Sequence, residues 1–325
     1  MKPKVFITRA IPEAGLDLLR PIAEIEVWED ELPPPRESLL QKVKGVDGLL
    51  TLLTDKIDSQ VMDAAGATLK VISQMAVGYD NIDVAAATAR KIPVGHTPGV
   101  LTETTADFTW ALLMSAARRI VESDNYTRDG KWKTWMPTLL LGPDVYGATL
   151  GIIGLGRIGQ AVAKRAKGFD MRVIYRSAHR HPEIEKSLGV EYVPLDSLYA
   201  ESDFISIHTP LNDSTYHLIN DSALAKMKPG AILINTARGG VIDPDALHRA
   251  LRDKKIAYAA LDVTEPEPIP LESPLLTLDN IIIAPHIASA SIQTRNKMAT
   301  MAAENLIAGL KGEKLPHCVN PQVYR

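Results

Sequence analysis

Short apolar runs alternate along this chain with longer segments in which apolar residues recur every three or four positions. In the first hundred residues, Val5–Thr8, Glu24–Trp28, Gly48–Leu52 and Lys70–Gln74 predict strands, and the intervals between them read as helices. That alternation predicts a parallel sheet with helices on its faces. Pro33, Pro34 and Pro35 predict a rigid exposed connection. This part carries no phosphate-binding glycine loop. Residues 101–121 then predict one long helix with Thr102 as N-cap. Its run Phe108–Ala117 is apolar almost all round, which predicts burial between layers or subunits. Residues 129–147, with Trp132, Trp135, Pro137 and Pro143, read as an irregular arm. So long a stretch without an element in a compact protein is usually functional.

From residue 149 strands recur at Leu150–Ile153, Arg172–Tyr175, Phe204–Ile207, Ile232–Ile234, Ala257–Leu261 and Ile281–Ile283. Six strands with intervening helices suit a doubly wound sheet. A further long helix is predicted from Ser291 to near Gly309, with Gly312 as its stop. The tail Leu315–Arg325 is too short for a domain, and its return to the first domain would bring both chain ends together.

Composition narrows the class. At 325 residues two domains are expected, and 46% hydrophobic with 23% charged residues is ordinary for a soluble globular protein. A net charge of -3 gives no reason to expect nucleic acid or an anionic membrane as partner. Cys318 is the only cysteine, which excludes an internal disulfide framework. No cluster of metal-ligating side chains is visible, so no metal is expected. The N-terminus enters a strand-like run without a signal-peptide pattern, and no apolar stretch approaches the span of a bilayer. A cytoplasmic location is the expectation.

Chemistry concentrates where strands end. Residues 149–159 run from an apolar strand into Gly154, Leu155, Gly156, Arg157, Ile158 and Gly159, followed by a helix-like run from Gln160 to Lys167. In this context the first glycine allows a tight turn. The second lets backbone amides approach a pyrophosphate, and the third lets helix and strand pack closely. Ligands of open α/β sheets bind beyond the carboxyl ends of the strands. There the chain places Arg176-Ser177, His208-Thr209-Pro210, Asn235 to Gly240 with Arg238, Asp262 leading to Glu265 and Glu267, and Pro285-His286. Arg238 can grip a carboxylate with a planar fork. His286, held behind a proline, can exchange a proton near neutrality. Glu267, between two prolines, is a carboxylate on a rigid loop. Paired with an imidazole, a carboxylate favours the protonated ring and fixes its orientation.

Five ordered motifs then give the chain a likeness. They are Met75-Ala-Val-Gly-Tyr-Asp-Asn-Ile-Asp83, Gly151-Ile-Ile-Gly-Leu-Gly-Arg-Ile-Gly159, Asn235-Thr-Ala-Arg-Gly239, Leu261-Asp-Val-Thr-Glu-Pro-Glu-Pro268 and Pro285-His-Ile-Ala-Ser-Ala290. With them the whole chain resembles the D-isomer-specific 2-hydroxyacid dehydrogenases, and most the glyoxylate/hydroxypyruvate reductase branch. Trp132-x-x-Trp135-x-Pro137 and Gly312-Glu-x-Leu-Pro316 add to that likeness. The resemblance implies an α/β fold of two doubly wound parallel-sheet domains with a cleft between them. A flavodoxin-like substrate domain is expected from residues 1–99 plus 289–325, and a Rossmann NADP(H)-binding domain from 100–288, with hinges near 100 and 288.

The resemblance also implies roles. Arg238 would bind the substrate's carboxylate and 2-oxo group, His286 would donate a proton to the carbonyl oxygen, and Glu267 would hydrogen-bond His286. The amides of Val77 and Gly78 would hold the substrate carboxylate, Leu53 would close over it, and Ser289 would lie beside it. Trp135 matches a tryptophan that lines the partner subunit's pocket in this branch, so a homodimer is expected. Asp262 would hold the nicotinamide carboxamide. Thr105, His208, Pro210, Thr215, Thr236, Ala237 and Ala288 fall on other cofactor-contact positions. Ala288 stands where many relatives carry Gly, and its methyl is expected to be tolerated.

The cofactor choice rests on the end of the second strand, where NAD-specific sites usually carry an acid. Here no acid appears between Asp170 and Glu183, and Ser177 stands at that position with Arg176 beside it and Arg180 nearby. That set suits a 2′-phosphate, so NADPH is expected over NADH. Small 2-oxo and 2-hydroxy acids are the expected substrates, glyoxylate or hydroxypyruvate first. Another activity of the family (D-lactate or phosphoglycerate dehydrogenase) and a corepressor-like dinucleotide-binding protein are the alternatives.

Overall fold

The computed structural model describes residues 1–325. The chain divides into two compact units, Met1–Leu101 with Ala290–Arg325, and Thr102–Ser289. No helix is long and apolar enough to cross a membrane.

The first unit holds β1 (Lys4–Ile7), β2 (Glu24–Val27), β3 (Gly48–Thr51), β4 (Val71–Gln74) and β5 (Val94–Gly95) in the parallel order β2-β1-β3-β4-β5. This is the flavodoxin-like order. The strand pattern explains its two faces. Val5, Ile7, Leu50 and Val71 pack under the helix Ile292–Leu310, through Met298, Ala299, Ala302 and Leu306. Phe6, Leu49 and Ile72 point the other way, onto Leu39, Val61 and Met62. Alternation with both faces apolar is what a covered parallel sheet requires. Gly309 lets the long helix approach the sheet, since a Cβ there would lie 2.4 Å from that of Val71. Ser291 caps this helix by accepting from the Thr294 amide at 3.2 Å. The tail returns to this unit, where Val319 N donates to Val94 O at 2.8 Å and the Asn320 side chain bridges the Val94 amide and Ile92 O.

The second unit holds β6 (Thr149–Ile153), β7 (Arg172–Arg176), β8 (Glu191–Tyr192), β9 (Phe204–Ile207), β10 (Ile232–Asn235), β11 (Tyr258–Leu261) and β12 (Ile281–Ile283). All pairs are parallel, in the order β12-β11-β10-β9-β6-β7-β8. Read outward from β6, the chain winds one way through β7 and β8, then reverses through β9 to β12. The switch point lies between β6 and β9, the place where doubly wound sheets bind dinucleotides.

Several expectations are corrected. The sheet has a seventh strand, β8, and the first unit a fifth, β5; each spans only two residues and so has no periodic signal. The single helix expected over 101–121 is two, Thr102–Ala117 and Ile120–Arg128, broken where Arg119 adopts φ +50. The apolar run ends at Ala117, and the second helix buries none of its residues, so no packing demands continuity. Thr102 is the first helical residue rather than the cap. Pro34 is buried rather than exposed. The first of the two helices does bury Trp110, Leu112, Leu113, Ala116 and Ala117, and Trp110 stacks on Phe169 with ring centroids 4.9 Å apart. Residues 129–147 contain no helix or strand.

Candidate functional site

The glycine loop follows β6 directly. Gly154 has φ +98, and a Cβ there would lie 2.5 Å from His208 O at the end of β9. Only glycine meets both demands. A Cβ on Gly159 would fall 2.2 Å from Gly154 O, which ties the helix Arg157–Ala166 against the turn. Gly156 is different: a Cβ there would meet nothing within 4 Å. The middle glycine therefore faces open space at the N-cap of that helix, where no side chain caps the first-turn amides. Open space, uncapped amides and a helix N-terminus fit the pyrophosphate of a dinucleotide.

The neighbouring strand ends converge on this loop. Ser177 Oγ accepts from Leu155 N at 2.6 Å, so its own proton is left to donate. Arg176 donates to the Tyr192 hydroxyl and lies over that ring. Arg180 forms a two-pronged pair with Glu185 at 2.8 and 2.9 Å. His208 Nε2 meets Ser206 Oγ at 2.8 Å, and burial pushes its pKa down to about 3, so it is a neutral group at physiological pH. Thr215 spends its hydroxyl within its own loop, donating to Pro210 O at 2.7 Å. Thr236 Oγ1 lies 2.9 Å from Thr109 Oγ1, and Thr109 donates in turn to Thr105 O. The buried helix Thr102–Ala117 is thereby stitched to the end of β10.

After β10 the chain turns through Thr236, Ala237 and Arg238. Asn235 shapes that turn, its Oδ1 accepting from Ala237 N at 2.9 Å and its Nδ2 donating to Arg238 O at 2.8 Å. Arg238 Nη1 donates to Ala237 O at 2.8 Å. Gly239 packs so tightly that a Cβ would sit 1.9 Å from Thr264 O. The Arg238 turn is thus pressed against the loop that carries Glu267.

His286 Nδ1 lies 2.5 Å from Glu267 Oε1. That contact orients the ring and leaves Nε2 outside the pair. His286 adopts φ +55, an uncommon region for a residue with a Cβ. Its amide is anchored to Asp262 O at 2.9 Å. The buried Asp262 carboxylate accepts from Ile287 N at 2.8 Å and Ala288 N at 2.7 Å. Burial raises the Asp262 pKa, and the two amides act against that. Asp262 therefore shapes the His286 loop, a task its sequence position did not disclose. Ser289, directly after this anchor, is half-buried.

The first unit presents a separate polar network. Asn81 Nδ2 donates to Leu52 O and Asp55 O, while Gln74 Nε2 donates to Asn81 Oδ1 and Gly78 O. His96 Nδ1 lies 3.0 Å from Val77 O. The turn bearing Leu53 and the loop bearing Val77 and Gly78 are therefore fixed to each other. Asp55 closes the Leu53 turn by accepting from Leu52 N at 2.8 Å, and burial raises its pKa. Trp135 is 79% exposed on the irregular arm.

A mid-chain glycine loop at a switch point, with a Glu–His pair and an arginine turn on the same sheet edge, fits a dinucleotide-binding α/β enzyme frame. The sequence model of the D-isomer specific 2-hydroxyacid dehydrogenase NAD-binding domain matches residues 110–288. A glyoxylate reductase of Korarchaeum cryptofilum is 56% identical over 326 residues, spanning 100% of this chain and 98% of the relative. Among solved structures, a glyoxylate reductase from Paecilomyes thermophila superposes with a TM-score of 0.87 at 34% identity, covering 99% of each chain. An NADPH-dependent glyoxylate/hydroxypyruvate reductase from Sinorhizobium meliloti, solved with NADP and malonate, gives 0.88 at 32% identity over 100% of this chain and 99% of that one. The chain belongs to the D-isomer specific 2-hydroxyacid dehydrogenase family.

Proposed function

We propose that this protein is a glyoxylate/hydroxypyruvate reductase that prefers NADPH to NADH and works as a homodimer. The observation that carries the reading is the His286–Glu267 contact, beside an arginine turn and on the sheet edge that bears the glycine loop. Full-length identity above one half to a glyoxylate reductase supports the substrate.

In this reading the backbone amides at the start of the helix Arg157–Ala166 hold the cofactor's pyrophosphate, with Gly154, Leu155, Gly156, Arg157, Ile158 and Gly159 forming the turn. Thr105, His208, Pro210, Thr215, Thr236, Ala237, Asp262 and Ala288 border the rest of the cofactor. When bound, the nicotinamide supplies the hydride for the 2-oxo carbon. Arg238 fixes the substrate carboxylate and polarises the 2-oxo oxygen, where negative charge develops. His286 gives its Nε2 proton to that oxygen, and Glu267 holds the imidazolium from Nδ1. Leu53, Val77, Gly78 and Ser289 are assigned to substrate binding, and Trp135 to the partner subunit's pocket.

The preference for NADPH follows from donor chemistry. A 2′-phosphate accepts hydrogen bonds only, and a ribose 2′-hydroxyl is best met by a carboxylate. Ser177 keeps its hydroxyl proton to donate while its oxygen accepts from Leu155 N, and Arg176 and Arg180 are donors. A steady-state panel of glyoxylate, hydroxypyruvate, pyruvate and phosphohydroxypyruvate with NADPH tests the reading. Turnover should be highest with the first two and should collapse in Arg238→Gln through KM and kcat together. Absence of turnover on the whole panel would reject it.

A further inference from the structure

Outside the proposed catalytic groups, a cluster of charged and aromatic side chains surrounds Tyr192 on the short strand β8. Tyr192 is paired in register with Tyr175 of β7, the strand from whose end Arg176 and the loop to Arg180 emerge. The Arg176 guanidinium carbon lies 5.0 Å from the centre of the Tyr192 ring, and Nη1 donates to the ring's hydroxyl. The Arg180 guanidinium carbon lies 5.8 Å from the same centre. One phenol thus serves two cations. Glu185 completes the group: it takes Nε and Nη2 of Arg180 and accepts from the Tyr175 hydroxyl at 2.8 Å. The Tyr175 oxygen in turn accepts from His181 N at 2.8 Å, which pins the end of the loop.

We propose that Tyr192 and Glu185 are specificity-determining positioning residues, which hold Arg176 and Arg180 ready for the 2′-phosphate of NADPH. The proposal rests on the NADPH reading above. Two guanidinium groups brought near one site repel each other, and each has rotamer freedom to lose on binding. The ring face of Tyr192 attracts both cations and reduces that repulsion. Glu185 fixes the plane of the Arg180 fork through one edge, leaving Nη1 to donate elsewhere. The cost of ordering the two arginines is met in the folded chain instead of at binding, which is how pre-organisation raises affinity. A solvated basic loop would need neither an aromatic platform common to both arginines nor a largely buried carboxylate bracing one of them.

The test uses adenosine 2′,5′-bisphosphate and 5′-AMP as probes, titrated calorimetrically into the intact protein, with thermal unfolding of each variant as a folding control. The wild type should bind the bisphosphate more tightly. Tyr192→Leu should weaken it about tenfold while changing 5′-AMP less than about twofold, because only the phosphate contacts depend on the platform. Tyr192→Phe, which keeps the ring and loses the hydroxyl, and Glu185→Gln should each give a smaller loss with the same selectivity. These two variants decide the matter if Tyr192→Leu does not fold. Unchanged preference in the folded variants would overturn the proposal and leave the NADPH reading intact. A wild type that does not distinguish the two probes would overturn both. Equal losses for both probes would make Tyr192 a structural residue only and reject its role in specificity.

Discussion

At His286 the chain fixes the rotation of one imidazole. The backbone sits at φ +55, at a cost of about 1–2 kcal/mol for a residue with a Cβ, and Nδ1 is held by Glu267. Asp262 secures the strained loop through two amides. With His286 as the proposed general acid, His286→Asn should lower kcat about 10²- to 10⁴-fold with little change in cofactor binding. Asp262→Asn presents an amide to amides, and should cost about 1–3 kcal/mol in urea unfolding while also lowering kcat through the misplaced ring. The placement of Arg238, Glu267 and His286 past strand ends was legible in the sequence, because each follows an apolar strand-like run closely. The bracing groups Asn235, Asp262 and Tyr192 were not legible in those roles, since each acts through a backbone turn or a ring contact that spacing does not encode.

Among the elements, the glycine loop separates two kinds of glycine. Gly154→Ala meets a positive φ and a carbonyl at 2.5 Å, and should destabilise the fold by more than about 1 kcal/mol. Gly156→Ala enters open space, so its unfolding midpoint should stay near wild type while nucleotide binding weakens. Paired chemical denaturation and nucleotide titration check both. The end of β9 gives a pH signature. His208 is neutral in the folded chain, with a pKa lowered to about 3 from 6.5. Between those values the unfolded state binds more protons, so this histidine's contribution to stability falls as pH drops from about 6.5 toward 3. Urea unfolding at pH 7 and pH 5 should show a smaller loss in His208→Gln than in wild type. Every longer strand was readable from its apolar run or, for β2, from alternation. The two-residue strands β5 and β8 and the helix break at Arg119 were not, because tertiary pairing and a single backbone angle decide them.

For the molecule as a whole, the pattern indicated two parallel-sheet α/β units with the glycine loop in the middle of the chain, and the observed sheet orders match that class. The irregular arm leaves Trp132 62% and Trp135 79% exposed, an apolar surface that the homodimer reading assigns to the partner subunit. Sedimentation equilibrium should find a dimer, and Trp132→Ser with Trp135→Ser should shift it toward monomer and reduce activity. A stable, fully active wild-type monomer would refute the assembly. The central claim is that the strand-end groups reduce a small 2-oxo acid with NADPH. It is tested most directly by kcat/KM for glyoxylate with NADPH and NADH side by side. The account predicts efficient turnover with NADPH ahead. No turnover with either cofactor, or NADH ahead by about tenfold, would contradict it.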